Sequence, residues 1–132
     1  MARILVTDDD AELRSTLEKL LKLRGHAVEV GRDGLEGAKL LAQGGYDLLI
    51  TDIVMPNQEG LESIIQARKK YPNLKIIAMS GAGKTSTEVY LRVAKNVGAN
   101  AVFQKPWNPR EMLAKVDELV SHPAAPNVLP AA

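Results

Sequence analysis

Short apolar runs, rich in branched side chains and bounded by turn residues, alternate with segments of helical spacing along almost the whole chain. The runs lie at residues 4–7, 27–30, 47–51, 74–79 and 101–104. Between them Leu13, Leu17, Leu20 and Leu21 follow helical spacing, as do Leu61, Ile64 and Ile65, and then Met112, Leu113, Val116, Leu119 and Val120. Helix starts are marked by an oxygen-bearing cap three residues before a glutamate: Asp33 before Glu36, Thr85 before Glu88, and Asn108 before Glu111, the last with Pro109 at the first helical position. Gly25, Gly44, Gly45 and Gly98 mark helix ends. A strand–helix unit repeated five times predicts a doubly wound α/β fold: three layers, with a parallel five-stranded sheet covered by helices on both faces.

Composition narrows the function classes. The 132 residues suit one domain, expected over 1–121, followed by an Ala- and Pro-rich tail, 122–132, expected to be disordered. With no cysteine there is no disulfide framework, thiolate metal site or cysteine nucleophile. No apolar stretch is long enough to cross a membrane, and the opening residues do not form a signal peptide, so a cytoplasmic location is expected. The net charge of +1 argues against general nucleic-acid binding. It is unevenly distributed, with 7 basic and 11 acidic residues in 1–60 against 10 and 5 in 61–132.

The unusual polar residues share one position in this pattern. Asp8 and Asp9 follow the first strand, Asp52 ends the third, Ser80 follows the fourth and Lys105 follows the fifth. In a parallel sheet the C-terminal strand ends form one edge, where open α/β folds bind ligands. Three carboxylates brought together must raise their pKa values or recruit a cation. Oxygen ligands without His or Cys favour a hard ion, Mg2+ before Ca2+, with Mn2+ an acceptable substitute. A cation, an ammonium and a hydroxyl around one carboxylate are equipment for phosphoryl transfer. Each residue also has a plainer role open to it. One of Asp8, Asp9 and Asp10 can cap the first helix, Asp52 can start a turn, Ser80 opens a Gly-rich loop, and Lys105 can be a solvated turn residue. His26 and His122 lack evident partners and are expected at the surface, and Trp107 is expected to anchor the entrance of the last helix by packing.

The residues 4–10, 46–56 with Gly60, 76–81 and 98–107 together resemble the motifs of bacterial response-regulator receiver domains, in the same order and over residues 3 to about 121. The resemblance implies a chemotaxis-regulator-like, flavodoxin-like (βα)5 fold with strand order 2-1-3-4-5. It implies that Asp52 is a phosphoacceptor in a two-component phosphorelay, taking its phosphoryl group from a histidine kinase or phosphotransfer protein. Asp8, Asp9, Asp52 and the backbone carbonyl of Val54 would ligate Mg2+. Ser80 would be the switch hydroxyl, and Lys105 would bind phosphoryl oxygen ahead of a cis Pro106. The chain would then be no enzyme beyond slow loss of its own phosphoryl group. A downstream protein would read the face made by the fourth helix, fifth strand and fifth helix, with a phosphorylation-dependent dimer as one form of output and no direct contact with nucleic acid or membrane. The basic surplus of the second half is expected to lie across that face and favour acidic partners.

Some positions depart from the family pattern. Val102 occupies the place of the usual switch aromatic, and Phe103 points to the opposite strand face, so an aromatic flip is not expected. Residues 81–87 form a longer Gly-rich segment, expected to be mobile and to order on phosphorylation. Val54 and Ala82, two residues beyond Asp52 and Ser80, cannot activate water through their side chains, which implies a long-lived phosphoaspartate. Two alternatives stand beside the phosphoacceptor. One is a receiver fold acting as a phosphorylation-independent interaction module. The other is a haloacid-dehalogenase-type phosphatase using Asp8 and Asp10, which leaves Asp52 without a task and lacks an acidic pair after Lys105.

Overall fold

The computed structural model describes residues 2–53, 60–81 and 87–121. The elements alternate strictly: β1 (Arg3–Thr7), α1 (Ala11–Leu23), β2 (Ala27–Gly31), α2 (Gly34–Leu41), β3 (Leu48–Asp52), α3 (Gly60–Lys70), β4 (Lys75–Ser80), α4 (Thr87–Val97), β5 (Ala101–Gln104) and α5 (Pro109–Ser121). All strand pairs are parallel, in the order β2-β1-β3-β4-β5. This is the doubly wound fold that the strand–helix alternation predicts, in the strand order that the resemblance implies.

Alternation along each strand builds two cores. Ile4, Val6, Leu48, Ile50, Ile77 and Met79 face α1 and α5, where they meet Leu17, Leu21, Met112 and Val116. Leu5, Leu49, Ile76 and Ala78 face the other way, onto Leu41, Ile64, Ala67 and Ala94 of α2, α3 and α4. A sheet covered on both faces needs near-continuous apolar strands, which is why β3 is buried at every position. Truncating a fully buried residue such as Ile50 to alanine would cost about 2–5 kcal/mol. On α3 only part of the expected apolar face is buried: Ile64 is fully buried, whereas Ile65 is 45% exposed.

The caps fall where the chemistry requires them. Asp33 Oδ1 accepts from Glu36 N, and Asn108 Oδ1 accepts from Arg110 N and Glu111 N. The expected cap at Thr85 lies outside the described residues, as do His122 and the whole 122–132 tail. Gly25, Gly44, Gly45 and Gly98 all have positive φ, as helix stops of this kind require. Gly37 has a different reason to be glycine, because a Cβ there would stand 2.6 Å from Thr7 Cγ2. Its absence lets α2 settle directly on β1.

Two expectations about surface groups change. The His26 side chain is only 7% exposed. Its Nδ1 accepts a hydrogen bond from Ala2 N at 3.1 Å, because the turn after α1 folds back over the start of β1. The basic surplus does not gather on the α4–β5–α5 face. Among the side chains described, α4 and α5 carry Arg92, Lys95, Arg110 and Lys115 against Glu111, Asp117 and Glu118, close to balance. Much of the surplus is Arg68, Lys69 and Lys70 at the end of α3, with Lys75 opening β4.

Candidate functional site

The C-terminal edge of the sheet gathers the expected residues. Asp8 leaves β1 and is completely buried, Asp52 ends β3 at 4% exposure and Ser80 ends β4 at 1%. Asp9 is exposed. One carboxylate oxygen from each of Asp8, Asp9 and Asp52 lies within 4.8 Å of the others. Lys105 reaches in from the end of β5, with Nζ 2.8 Å from Asp8 Oδ2 and 2.7 Å from Asp52 Oδ2. Residues from four strands, nearly a hundred positions apart in sequence, thus meet at one place.

Local structure explains why each group points there. Asp10 is the helix cap among the three consecutive aspartates: its Oδ1 accepts from Glu12 N and Leu13 N. That assignment frees Asp8 and Asp9 for the cluster, and it occupies the carboxylate a phosphatase of the Asp-x-Asp type would need. Asp8 Oδ1 accepts from Asp10 N at 2.9 Å, which leaves Oδ2 for Lys105. Lys105 N donates to Ser80 O at 2.8 Å, tying the ammonium-bearing residue to the hydroxyl-bearing one. The Lys105–Pro106 peptide is cis.

Burial and charge act in opposite directions here. Burial raises the Asp8 carboxyl above its ordinary value, with the hydrogen bond to Lys105 pulling it back only in part. For Lys105 burial works against the charge, but the hydrogen bonds to Asp52 and Asp8 outweigh it and hold the ammonium above its ordinary pKa. The pocket therefore stores one firmly held cation against crowded carboxylates, and a second cation would relieve it. Three carboxylate oxygens, without nitrogen or sulfur donors, suit a hard divalent ion such as Mg2+.

Several contacts were not legible beforehand. Arg14, on the first turn of α1, donates from Nη1 to Asp8 O at 2.7 Å and holds the β1–α1 connection. Thr7 and Thr51, each directly before an acidic site residue, are buried and joined hydroxyl to hydroxyl at 2.7 Å. Their only sequence signal is a polar residue at the end of an otherwise apolar strand. Val102 packs into the core under α3 and α4 and Phe103 into the core under α1 and α5, on the opposite faces expected of neighbours in a strand. Trp107 packs against the α1–α5 core and, with Leu13, Thr16 and Lys105, lines an open cleft of about 500 Å³ beside the site. Val54, Ala82 and the Gly-rich segment after Gly81 lie outside the described residues.

Comparison with known proteins agrees with this arrangement. The family model described as the response regulator receiver domain matches residues 4–117. A transcriptional regulatory protein CpxR homolog of Haemophilus influenzae is 32% identical over 96% of this chain and 54% of its own length. The DNA-binding transcriptional regulator NtrC of Azospirillum brasilense is 35% identical over 98% of this chain and 26% of its own. The chain thus spans about half the length of the first relative and about a quarter of the second. Among solved structures, a CheY-like receiver domain protein of Methanospirillum hungatei superposes with a TM-score of 0.82 at 32% identity, covering 92% of this chain and 95% of that one. The response regulator TrrA of Thermotoga maritima, solved in complex with Mg(2+)-BeF, gives a TM-score of 0.79 at 34% identity, covering 90% and 99%. The chain belongs to the response regulator receiver domain family of two-component systems.

Proposed function

We propose that Asp52 accepts a phosphoryl group from the phosphohistidine of a histidine kinase or phosphotransfer protein. The observation that carries this is the sharing of Lys105 Nζ between Asp8 and Asp52, with Asp9 completing an all-oxygen cluster. An Asp52 oxygen attacks phosphorus, the bond to the donor nitrogen breaks, and the imidazole leaves with the electron pair. Asp8, Asp9 and Asp52, with the Val54 carbonyl as the fourth group, would hold Mg2+, which supplies charge neutralisation of the phosphoryl oxygens. Lys105 is already charged and placed to pair with a phosphoryl oxygen, giving up one of its carboxylate contacts as it does so. Ser80, buried at the adjoining strand end, offers a hydroxyl to the same group, and the Lys105–Ser80 backbone bond makes the two move together. Mg2+ as the ion, with Mn2+ able to take its place, the donor and the absence of turnover on other substrates all belong to this reading.

Output passes through α4, β5 and α5 to a downstream protein, or through a phosphorylation-dependent dimer. Among the described residues no helix is long and apolar enough to cross a membrane. The test is incubation with Mg2+ and acetyl phosphate, followed by intact mass. Wild type gains one phosphoryl group, and Asp52→Asn gains none. Labelling that persists in Asp52→Asn moves the acceptor elsewhere, and multiple turnover of a phosphate ester would make the chain a phosphatase.

A further inference from the structure

We infer that Arg14 is a positioning residue that sets affinity for the divalent ion, by fixing the peptide that joins Asp8 to Asp9. Its role rests on the reading of Asp8, Asp9 and Asp52 as the Mg2+ cluster. Arg14 is the fourth residue of α1 and is partly buried. Its backbone N donates to the carbonyl of Asp10, the helix cap, at 3.0 Å, which holds its Cα one turn beyond the cluster. Helical side chains lean toward the helix N-terminus, and Arg14 Nη1 reaches back that way to donate to Asp8 O at 2.7 Å. Helix stability gives no reason for a cation there, because the N-terminal end of a helix favours negative charge.

The bond fixes one rotation. Asp8 N donates to Gly31 O at 3.2 Å and Asp8 Oδ1 accepts from Asp10 N at 2.9 Å, which hold the backbone nitrogen and the side chain of Asp8. What is left is the turn of the Asp8–Asp9 peptide about the Asp8 Cα–C bond. In a planar trans peptide the rotation that places the Asp8 oxygen also places the Cα of Asp9. Arg14 grips that oxygen with a short, charge-assisted hydrogen bond, and so holds the base from which the Asp9 side chain extends. Asp8 and Asp52 are buried and bonded to Lys105. Asp9 is exposed and has no hydrogen bond or ion pair of its own among the described residues. The exposed member of the cluster is therefore the one whose place depends on Arg14. Groups that orient a metal ligand from outside the ligand set typically change metal affinity about 10–100-fold. Charge alone works the other way, since a guanidinium near the cluster repels a divalent cation.

The experiment compares wild type with Arg14→Met, Arg14→Gln and Arg14→Lys. It reads binding of Mg2+ alone by titration calorimetry, thermal melting without metal, and labelling by acetyl phosphate across a range of Mg2+ concentrations. Both neutral variants should bind Mg2+ about tenfold more weakly and reach half-maximal labelling at about tenfold higher Mg2+. Their labelling rate at saturating Mg2+ should stay within about twofold of wild type, because the Arg14 bond goes to the Asp8 backbone and not to the acceptor. Arg14→Lys, which keeps a charged donor on a long side chain, should recover affinity to within about threefold. Tighter Mg2+ binding by the neutral variants would reduce Arg14 to a charge near the site, and unchanged binding would reduce it to a structural contact. Either result overturns the positioning role, as does a lower saturating rate at unchanged Mg2+ affinity. If Arg14→Met does not melt cooperatively, Arg14→Gln decides by the same signs. Wild type that binds no Mg2+ removes the cluster and the role of Arg14 together. Wild type that binds Mg2+ but does not label removes only Asp52 as acceptor, and the calorimetry still decides the role of Arg14.

Discussion

Lys105 and Arg68 are both half-buried cations, set at opposite edges of the same sheet and in opposite company. Lys105, at the C-terminal edge, is bonded to two carboxylates. Arg68, near the N-terminal edge, is bonded to neutral oxygens: the carbonyls of Tyr71, Pro72, Leu74 and Gly98 and the side-chain oxygen of Asn100. Their protonation equilibria differ accordingly. Carboxylate partners hold the Lys105 ammonium above its ordinary pKa, while burial among uncharged groups lowers that of Arg68. A cation among carbonyls has nothing to exchange with. It is a staple that closes the ends of α3 and α4 and fixes the starts of β4 and β5, with Asn100 also accepting from Ile76 N at 2.8 Å. A cation among carboxylates can trade them for a phosphoryl oxygen. The same residue class thus serves chemistry at one edge and architecture at the other.

Substitution should separate the two roles. Lys105→Met is expected to slow labelling of Asp52 by about 100-fold, the typical cost of removing one aimed charge from a transferring group. Arg68→Met should leave the labelling rate within about twofold, since the two groups lie at opposite edges of the sheet. It should instead cost about 2 kcal/mol in urea unfolding, because several partly buried carbonyls lose their donor together. The contrast collapses if Arg68→Met slows labelling as strongly as Lys105→Met.

A smaller effect tests whether the C-terminal edge is held at the expense of stability. The Asp8 carboxyl is raised by burial, so the folded state disfavours its ionised form. Its contribution is fully favourable below 3.8 and is lost as pH rises through the raised folded value. Asp8→Asn should therefore be more stable than wild type by about 1 kcal/mol at neutral pH without divalent metal. The gain should shrink on acidification toward pH 3.8, and added Mg2+ should narrow it by stabilising wild type alone. A variant less stable than wild type at neutral pH would mean that the pair with Lys105 outweighs burial.

Much of the fold and the site was legible because it was written in local signals. Strand runs, cap residues and the placement of Asp8, Asp9, Asp52, Ser80 and Lys105 at strand ends each depend on a few neighbouring residues. Arg68, Thr7, Thr51 and His26 escaped because their meaning lies in partners far along the chain. Nothing near Arg68 in sequence announces Gly98 or Asn100, and a lone arginine at a helix end reads as solvated. The basic surplus misled for the same reason: a count over half the chain ignores which edge each side chain occupies. His26 looked solitary because its acceptor role is toward a backbone N–H, that of Ala2, which no residue pattern reveals.

His26 supplies the weakest of these tests. Burial lowers its pKa from 6.5, more than Asp117, whose Oδ1 is 4.0 Å from Nε2, raises it. Geometry acts in the same direction, because Nδ1 accepts from Ala2 N and a proton there would set donor against donor. The unfolded chain therefore takes up the proton first as pH falls. Stability linked to His26 is present above 6.5 and is lost as pH drops from there toward the lower folded value. The unfolding midpoint in urea should decline between about pH 7 and pH 5. His26→Gln, which keeps an acceptor but cannot titrate, should flatten that decline. The same substitution should leave Asp52 labelling untouched, because the His26 contacts lie with Ala2 and Asp117, away from the carboxylates. An unchanged slope would assign the decline to carboxylates instead, and a change in labelling would show that the two edges are coupled after all.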